Sequence, residues 1–144
     1  MKAVLLAAGV GQRLRPITNS IPKQMISIGG KPLLEYIIND ITSLGFDKIC
    51  IVIGHHGNQI KNYFGEGRRF NATIEYVTQQ EYKGTADATN YARKFVGKDK
   101  FLLYLSDTII PKRLHEHVQY MLTEDSEANI LSAKVSLEKM VRAG

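Results

Sequence analysis

A chain of 144 residues, 44% hydrophobic and 23% charged, has the composition of one globular domain, long enough to bury about 70% of the surface it would expose unfolded. No apolar run approaches the ~18 residues of a membrane span, and the short apolar stretch behind Lys2 ends at glycines, so neither a membrane partner nor a secretory signal is expected. The net charge of +5 suits an anionic partner, but the basic residues form no dense tract and few aromatics interleave with them, which gives no indication of nucleic-acid binding.

The first predicted element is a buried strand, Lys2 to Leu6, broken at Gly9 and Gly11. Missing Cβ atoms let the backbone turn tightly there and approach a ligand, and a phosphate is the natural one. A long loop carrying Arg13, Arg15 and Lys23 follows. Pro16 and Pro22 remove backbone donors and push Arg15 and Ile21 toward extended geometry, so no regular helix can run from Gln12 to Lys23. Loops of this length inside compact domains are usually functional or disordered. The stretch is not a dinucleotide fingerprint, because Leu14 stands at the third glycine position and no helix opens behind it. Nor is it a P-loop, since the pair Gly30 and Lys31 is followed by Pro32 rather than Ser or Thr.

Met25 to Ile28 reads as a short extended piece, and Pro32 as the first residue of a helix, where its missing N–H would be unpaired anyway. Leu33, Leu34, Ile37, Ile38, Ile41 and Leu44 recur at helical spacing, with Gly45 as the stop. Lys48 to Gly54 is almost continuously apolar, the pattern of a strand covered on both faces. It contains Cys50, the single cysteine, which reads as a buried small hydrophobe and agrees with a reducing, cytoplasmic location. A helix from His56 to Phe64 follows, with His55 and His56 as turn and helix entry, then a polar loop, Gly65 to Asn71, whose Arg68 and Arg69 read as solvated. Thr73 to Val77 is a third strand, Thr85 to Phe95 a third helix and Phe101 to Leu105 a fourth strand. Pro111 to Leu122 is a fourth helix, on which His115 and His117 point to different faces and make a poor metal pair, and Asn129 to Val135 is a fifth strand.

Such alternation predicts a three-layer α/β fold, a mainly parallel twisted sheet with helices on both faces, in one domain over residues 1–144. Ligands bind such sheets beyond the carboxyl ends of the strands, near the point where strand order reverses. Three strand ends merit attention: Ala7 to Gly11, Thr78 to Gly84, and Ser106 to Thr108.

The combination of Gly9, Gly11, Arg13, Pro16, Thr18, Pro22 and Lys23 with the run GKPLLE from Gly30 to Glu35 resembles the signature of the sugar nucleotidyltransferases, the nucleoside-diphosphate-sugar pyrophosphorylases, in the first part of their catalytic domain. The resemblance implies a Rossmann-like nucleotidyltransferase fold, incomplete over this length, and a reaction in which a sugar 1-phosphate attacks the α-phosphorus of UTP, dTTP or GTP and pyrophosphate departs. Two polyanions must meet, so cations, backbone donors and a metal carry the chemistry. By resemblance Arg13 holds the triphosphate tail and Lys23 stabilises charge on the phosphates, while Leu6, Ala7, Ala8, Gly9 and Gly11 line the nucleotide with backbone groups. Arg15 either adds charge to the phosphate region or faces water.

The segment TQQEYKGTADA, Thr78 to Ala88, resembles the family element in which a glutamine five residues before a Gly-Thr pair reads the base edge. Gln79 has that spacing, with Gln80 as the alternative, and Gly84 and Thr85 open a helix whose free N–H groups can bond a base or sugar oxygen. In YLSDT, Tyr104 to Thr108, Asp107 stands where the family places a Mg²⁺ ligand, and magnesium takes few carboxylates together with phosphate oxygens and water. Ser106 replaces the glycine usual before that aspartate, so a less close approach of the nucleotide to this backbone is expected.

No residue matches the family's later sugar-binding positions or its second metal-binding carboxylate. The isolated chain is therefore expected to keep a nucleotide half-site with little or no turnover, and to expose apolar surface that favours homo-oligomers. Two other readings compete: a cytidylyltransferase acting on a phosphorylated alcohol such as choline phosphate, and a non-catalytic regulatory or assembly subunit of the same fold.

Overall fold

Apolar, β-branched segments pair where they can bury both faces, and here four of them form one parallel sheet. The computed structural model describes residues 1–109, 115–124 and 126–130. Met1–Ile109 and Ile110–Gly144 form two compact units. In chain order the first contains β1 (Lys2–Ala7), β2 (Ser27–Ile28), β3 (Lys31–Pro32), α1 (Leu33–Ser43), β4 (Lys48–Ile53), α2 (Gly57–Phe64), β5 (Thr73–Thr78), α3 (Thr85–Tyr91), α4 (Arg93–Val96) and β6 (Phe101–Leu105). The second contains α5 (His115–Thr123), in which Val118 is buried.

The sheet order is β5-β4-β1-β6. Lys2 aligns with Lys48 on one side of β1 and with Phe101 on the other, and Lys48 aligns with Thr73, all in parallel. The chain thus moves outward from β1 through β4 to β5, then returns to add β6 on the opposite side. Strand order reverses between β1 and β6, which opens a crevice at their carboxyl ends.

Alternation along the strands sends two sets of side chains to two faces. Val4, Cys50 and Val52 pack with Ala88, Ala92 and Val96 of the α3 and α4 segment. Ala3, Leu5, Ile49 and Ile51, on the other face, are fully buried. Gly57, which opens α2, lies against the Ile53 side chain of that face. Helices therefore cover both faces, as the alternating pattern predicts. The α1 stripe of Leu34, Ile37, Ile38 and Ile41 is fully buried as well, and Gly45, at φ 88°, turns the chain out of that helix.

Some boundaries differ from the sequence expectation for local reasons. Pro32 is extended (φ −58°, ψ 144°) and caps α1 from outside, because Lys31 and Pro32 pair antiparallel with Ser27 and Ile28. The helix expected from Thr85 to Phe95 divides at Ala92. Thr89 Oγ1 bonds the Thr85 carbonyl at 2.8 Å, a back-bond that bends helices, and the Ala92 N–H closes a tighter bond to Thr89. The loop expected to be polar contains a turn, Arg68–Phe70, whose Phe70 is buried with its ring 5.2 Å from that of Phe64. Of the fourth predicted helix, residues 111–114 lie outside the described residues; of the fifth predicted strand, residues 131–135 do, and Asn129 and Ile130 have no regular structure.

One glycine ties the sheet to the crevice. A Cβ on Gly54 would stand 2.7 Å from the Ala8 carbonyl oxygen and 3.1 Å from the Ala8 Cα, so only glycine lets the end of β4 pass the end of β1. Gly54→Ala is expected to destabilise the fold by about 1–3 kcal/mol, the usual penalty for overpacking against an element that cannot yield. A urea denaturation midpoint equal to that of the parent would contradict this packing.

Candidate functional site

The crevice is built on the turn that leaves β1. Gly11 adopts φ 66° and ψ 37°, a left-handed conformation that side chains with a Cβ resist. Its carbonyl accepts the Leu14 N–H at 2.9 Å and the Thr18 hydroxyl at 2.8 Å. Thr18 is buried beside it, and a Cβ on Gly11 would lie only 3.0 Å from the Thr18 methyl. Short 3-10 turns at Gln12–Leu14, Ile17–Asn19 and Lys23–Met25 replace any regular helix, as the two prolines require. The loop is pinned from α2 and its entry: Gln59 Nε2 donates to the Ser20 carbonyl at 2.7 Å, and His56 Nε2 lies 3.0 Å from the Asn19 carbonyl.

Lys23 follows Pro22, and its side chain runs along Gly9, with Nζ 3.7 Å from where a Cβ on Gly9 would be. The ammonium reaches Asp107, just past β6, at 2.7 Å. Lys23 is 21% exposed and Asp107 50%, so the pair sits at the mouth of the crevice. The hydrogen bond from Lys23 holds the Asp107 carboxyl below its ordinary value, against a smaller opposing effect of burial.

Beneath this pair lies a buried polar chain. Gln24 is fully buried, and its Nε2 donates to Ser106 Oγ at 3.0 Å. Ser106 Oγ in turn donates to the Leu6 carbonyl. The Ser106 side chain, 1% exposed, is therefore turned into the protein, where it takes part in this chain.

The second cluster lies at the ends of β4 and β5. Gln79 is buried and Gln80 exposed. The Gln79 N–H donates to the Ile53 carbonyl at 2.9 Å, and its side-chain Nε2 donates to Asp87 Oδ2 at 2.8 Å. Gly84, at φ 98°, precedes α3, and Thr85 begins that helix. Tyr82 closes the loop back onto β4: its hydroxyl accepts the His55 N–H at 2.8 Å and comes within 2.8 Å of the position a Cβ on Gly54 would take. Ala8 and Ala88 share one core cluster, so the start of α3 is packed against the end of β1.

The structure thus brings Gly9, Gly11, Lys23, Ser106 and Asp107 into one cluster, and Gln79, Gly84 and Thr85 into a second next to Ala8. Leu6 and Ala7 enter the first through the backbone of β1. Arg13 and Arg15 are exposed and have no partner among the described residues. Sequence reasoning assigned nothing to Gln24, Tyr82 or Asp87. A glutamine between two apolar stretches is a weak signal, and an aspartate in a first helical turn reads as an ordinary dipole partner. Lys31 and Glu35 of the GKPLLE run take a structural part instead. Glu35 accepts the Tyr63 hydroxyl at 2.8 Å and pairs with Lys31 at 3.2 Å, and the Tyr63 bond is the main cause of its lowered carboxyl pKa.

No set of three or more His, Cys, Asp or Glu side chains among the described residues could hold a metal ion unaided. Asp107 offers one half-exposed carboxylate, a donor set that fits magnesium only when phosphate oxygens and water complete the shell.

Known proteins similar to this chain are consistent in kind. Residues 2–140 match the family described as nucleotidyl transferase. A nucleotidyltransferase of low-salt glycan biosynthesis from Haloferax volcanii is 37% identical over 141 residues, covering 97% of this chain and 38% of that protein. A glucose-1-phosphate thymidylyltransferase from Streptomyces griseus is 33% identical over 135 residues, 94% of this chain and 38% of that protein. The chain therefore spans less than two-fifths of the length of these two relatives. A solved structure of UDP-glucose pyrophosphorylase complexed with UDP-glucose superposes with a TM-score of 0.71 at 28% identity, over 84% of this chain and 54% of that one. With a left-handed glycine turn and a cation facing a carboxylate where strand order reverses, the family match over nearly the whole sequence leads to one conclusion: the chain belongs to the nucleotidyl transferase family.

Proposed function

We propose that this chain provides the nucleotide-binding side of an enzyme that joins a sugar 1-phosphate to UTP, dTTP or GTP and releases pyrophosphate. The observation that carries the reading is the Lys23 to Asp107 pair, 2.7 Å apart at the β1 and β6 crevice, directly above the glycine turn. A polyphosphate in that crevice meets backbone groups of residues 8–11 and the Lys23 ammonium. Arg13, exposed and unpaired among the described residues, lies on the same loop and takes the β- and γ-phosphates. An oxygen of the sugar phosphate attacks the α-phosphorus, the bond from that phosphorus to the β-phosphate bridge breaks, and pyrophosphate leaves with the electron pair. Lys23 offsets the charge that accumulates on the α-phosphate, and Arg13 that on the leaving group. Asp107 is the residue of this chain that would hold Mg²⁺, whose contribution is to neutralise phosphate charge and align the two phosphates. The names of the thymidylyltransferase and of the UDP-glucose pyrophosphorylase support a uracil or thymine nucleotide and a glucose 1-phosphate acceptor.

In the free protein Lys23 and Asp107 neutralise each other. Substrate and metal together would replace that contact, the ammonium turning to phosphate and the carboxylate to the cation, so that neither charge loses its partner when the other is taken.

Lys23→Ala is expected to weaken the binding of UTP with Mg²⁺ at least about tenfold in titration calorimetry, in line with the loss of a charge-assisted hydrogen bond. Circular dichroism should be unchanged, and an affinity equal to the parent's would remove Lys23 from the phosphate site. A pH titration examines the pair directly. Lys23 depresses the Asp107 carboxyl below 3.8, so the stabilisation it confers is complete at pH above that value and is lost as pH falls through the folded-state value. Lys23→Gln should raise the Asp107 midpoint in carbon-detected NMR; an identical midpoint in both proteins would mean that the pair does not form in solution.

A further inference from the structure

The Gln79 carboxamide is buried, and one of its ends is already committed. Its Nε2 lies 2.8 Å from Asp87 Oδ2. A carboxylate only accepts hydrogen bonds, so the amide must present its NH₂ to Asp87 and point its carbonyl the other way. Oε1 takes no hydrogen bond among the described residues. It also differs from the carbonyl of Gln24, which is sealed from solvent without a partner among the described residues. Both residues of the pair are held from outside. The Gln79 backbone is tied to Ile53 at the end of β4. Asp87 lies in the first turn of α3, and its neighbour Ala88 is buried in the same core cluster as Ala8. The amide therefore has one orientation, and it presents a fixed acceptor at the carboxyl end of the sheet.

We infer that Asp87 is a positioning residue that sets base selection: by fixing the Gln79 carboxamide with its carbonyl outward, it makes the site take bases whose edge presents a ring N–H and reject cytosine. The inference rests on the nucleotide reading given above. Uracil and thymine carry a hydrogen at N3 and guanine one at N1, each a donor for Oε1. Cytosine has a lone pair at N3, which would face the lone pairs of Oε1. An amide free to rotate would present NH₂ to cytosine and carbonyl to uracil with equal ease, so Gln79 alone does not discriminate. Asp87 removes that freedom.

Asp87→Asn is nearly isosteric, and asparagine both donates and accepts, so both amides can turn over together. Affinities for UTP and CTP, each with Mg²⁺, would be measured by calorimetry on the full chain for the parent, Asp87→Asn and Gln79→Ala. The parent is expected to prefer UTP by at least about tenfold, the scale of one unpaired buried polar group. In Asp87→Asn that ratio should fall at least about fivefold, with CTP binding more tightly than it does to the parent. General damage to the fold would weaken both nucleotides alike and leave the ratio unchanged. A ratio preserved in Asp87→Asn but lost in Gln79→Ala overturns the role of Asp87 and leaves the nucleotide site standing, whereas a parent that binds neither nucleotide overturns both. Should Asp87→Asn fail to fold, the parent itself decides the matter. The Gln79 side-chain NH₂ should exchange slowly with solvent in NMR, and fast exchange at that amide would contradict the lock.

Discussion

A buried chain of hydrogen bonds from Gln24 through Ser106 to the Leu6 carbonyl is the interaction on which the site depends. The end of β1 and the end of β6 are neighbours in the sheet, but the loop that carries Lys23 belongs to neither. Gln24, the residue after Lys23, is fully buried, and its amide docks that loop onto both strand ends at once. With the loop docked, the Lys23 side chain has little choice except to lie along Gly9 and meet Asp107. Polar groups withdrawn from water impose a large penalty unless they find partners; the Gln24 Nε2 finds one only in Ser106 Oγ, so undocking the loop would cost that bond as well as the apolar contacts, although the Gln24 Oε1 stays buried without a partner among the described residues.

The same economy of parts governs the electrostatics. On the proposed function the crevice has to attract a polyanion and a cation together, yet remain stable when empty. Pairing Lys23 with Asp107 meets both needs, since each is the other's substitute for a missing partner. Arg13 is different: exposed and unpaired among the described residues, it adds a charge that nothing close by neutralises, which suits a residue that engages the outer phosphates. The second cluster follows a related rule, with Asp87 occupying one end of the Gln79 amide so that only the other remains for a ligand.

Much of the fold was legible in the sequence. Apolar runs identified the two central strands β1 and β4, the strands β5 and β6 fell where they were expected, and the helical spacing of isoleucines and leucines located α1. The glycines and prolines around the first loop told what that loop could not be, which was as useful as any motif. The division at Ala92 was not legible, because it depends on the Thr89 hydroxyl bonding back to Thr85 rather than on helix propensity. The direction of the Ser106 side chain was not legible either: it is buried, bonded to the Leu6 carbonyl and the Gln24 amide, partners that only the folded chain brings within its reach. Asp87 escaped notice for a simpler reason. Its bond to Gln79 joins a strand end to a helix start, and the first turn of any helix welcomes an aspartate.

A crystal structure of the chain with UTP and Mg²⁺ tests the central claim most directly. The account predicts the triphosphate lying across the turn at residues 8–11, with the Lys23 ammonium moved from Asp107 onto the α-phosphate and the uracil edge against Gln79 Oε1. Nucleotide bound elsewhere on the protein, with Lys23 and Asp107 still in contact, would contradict it.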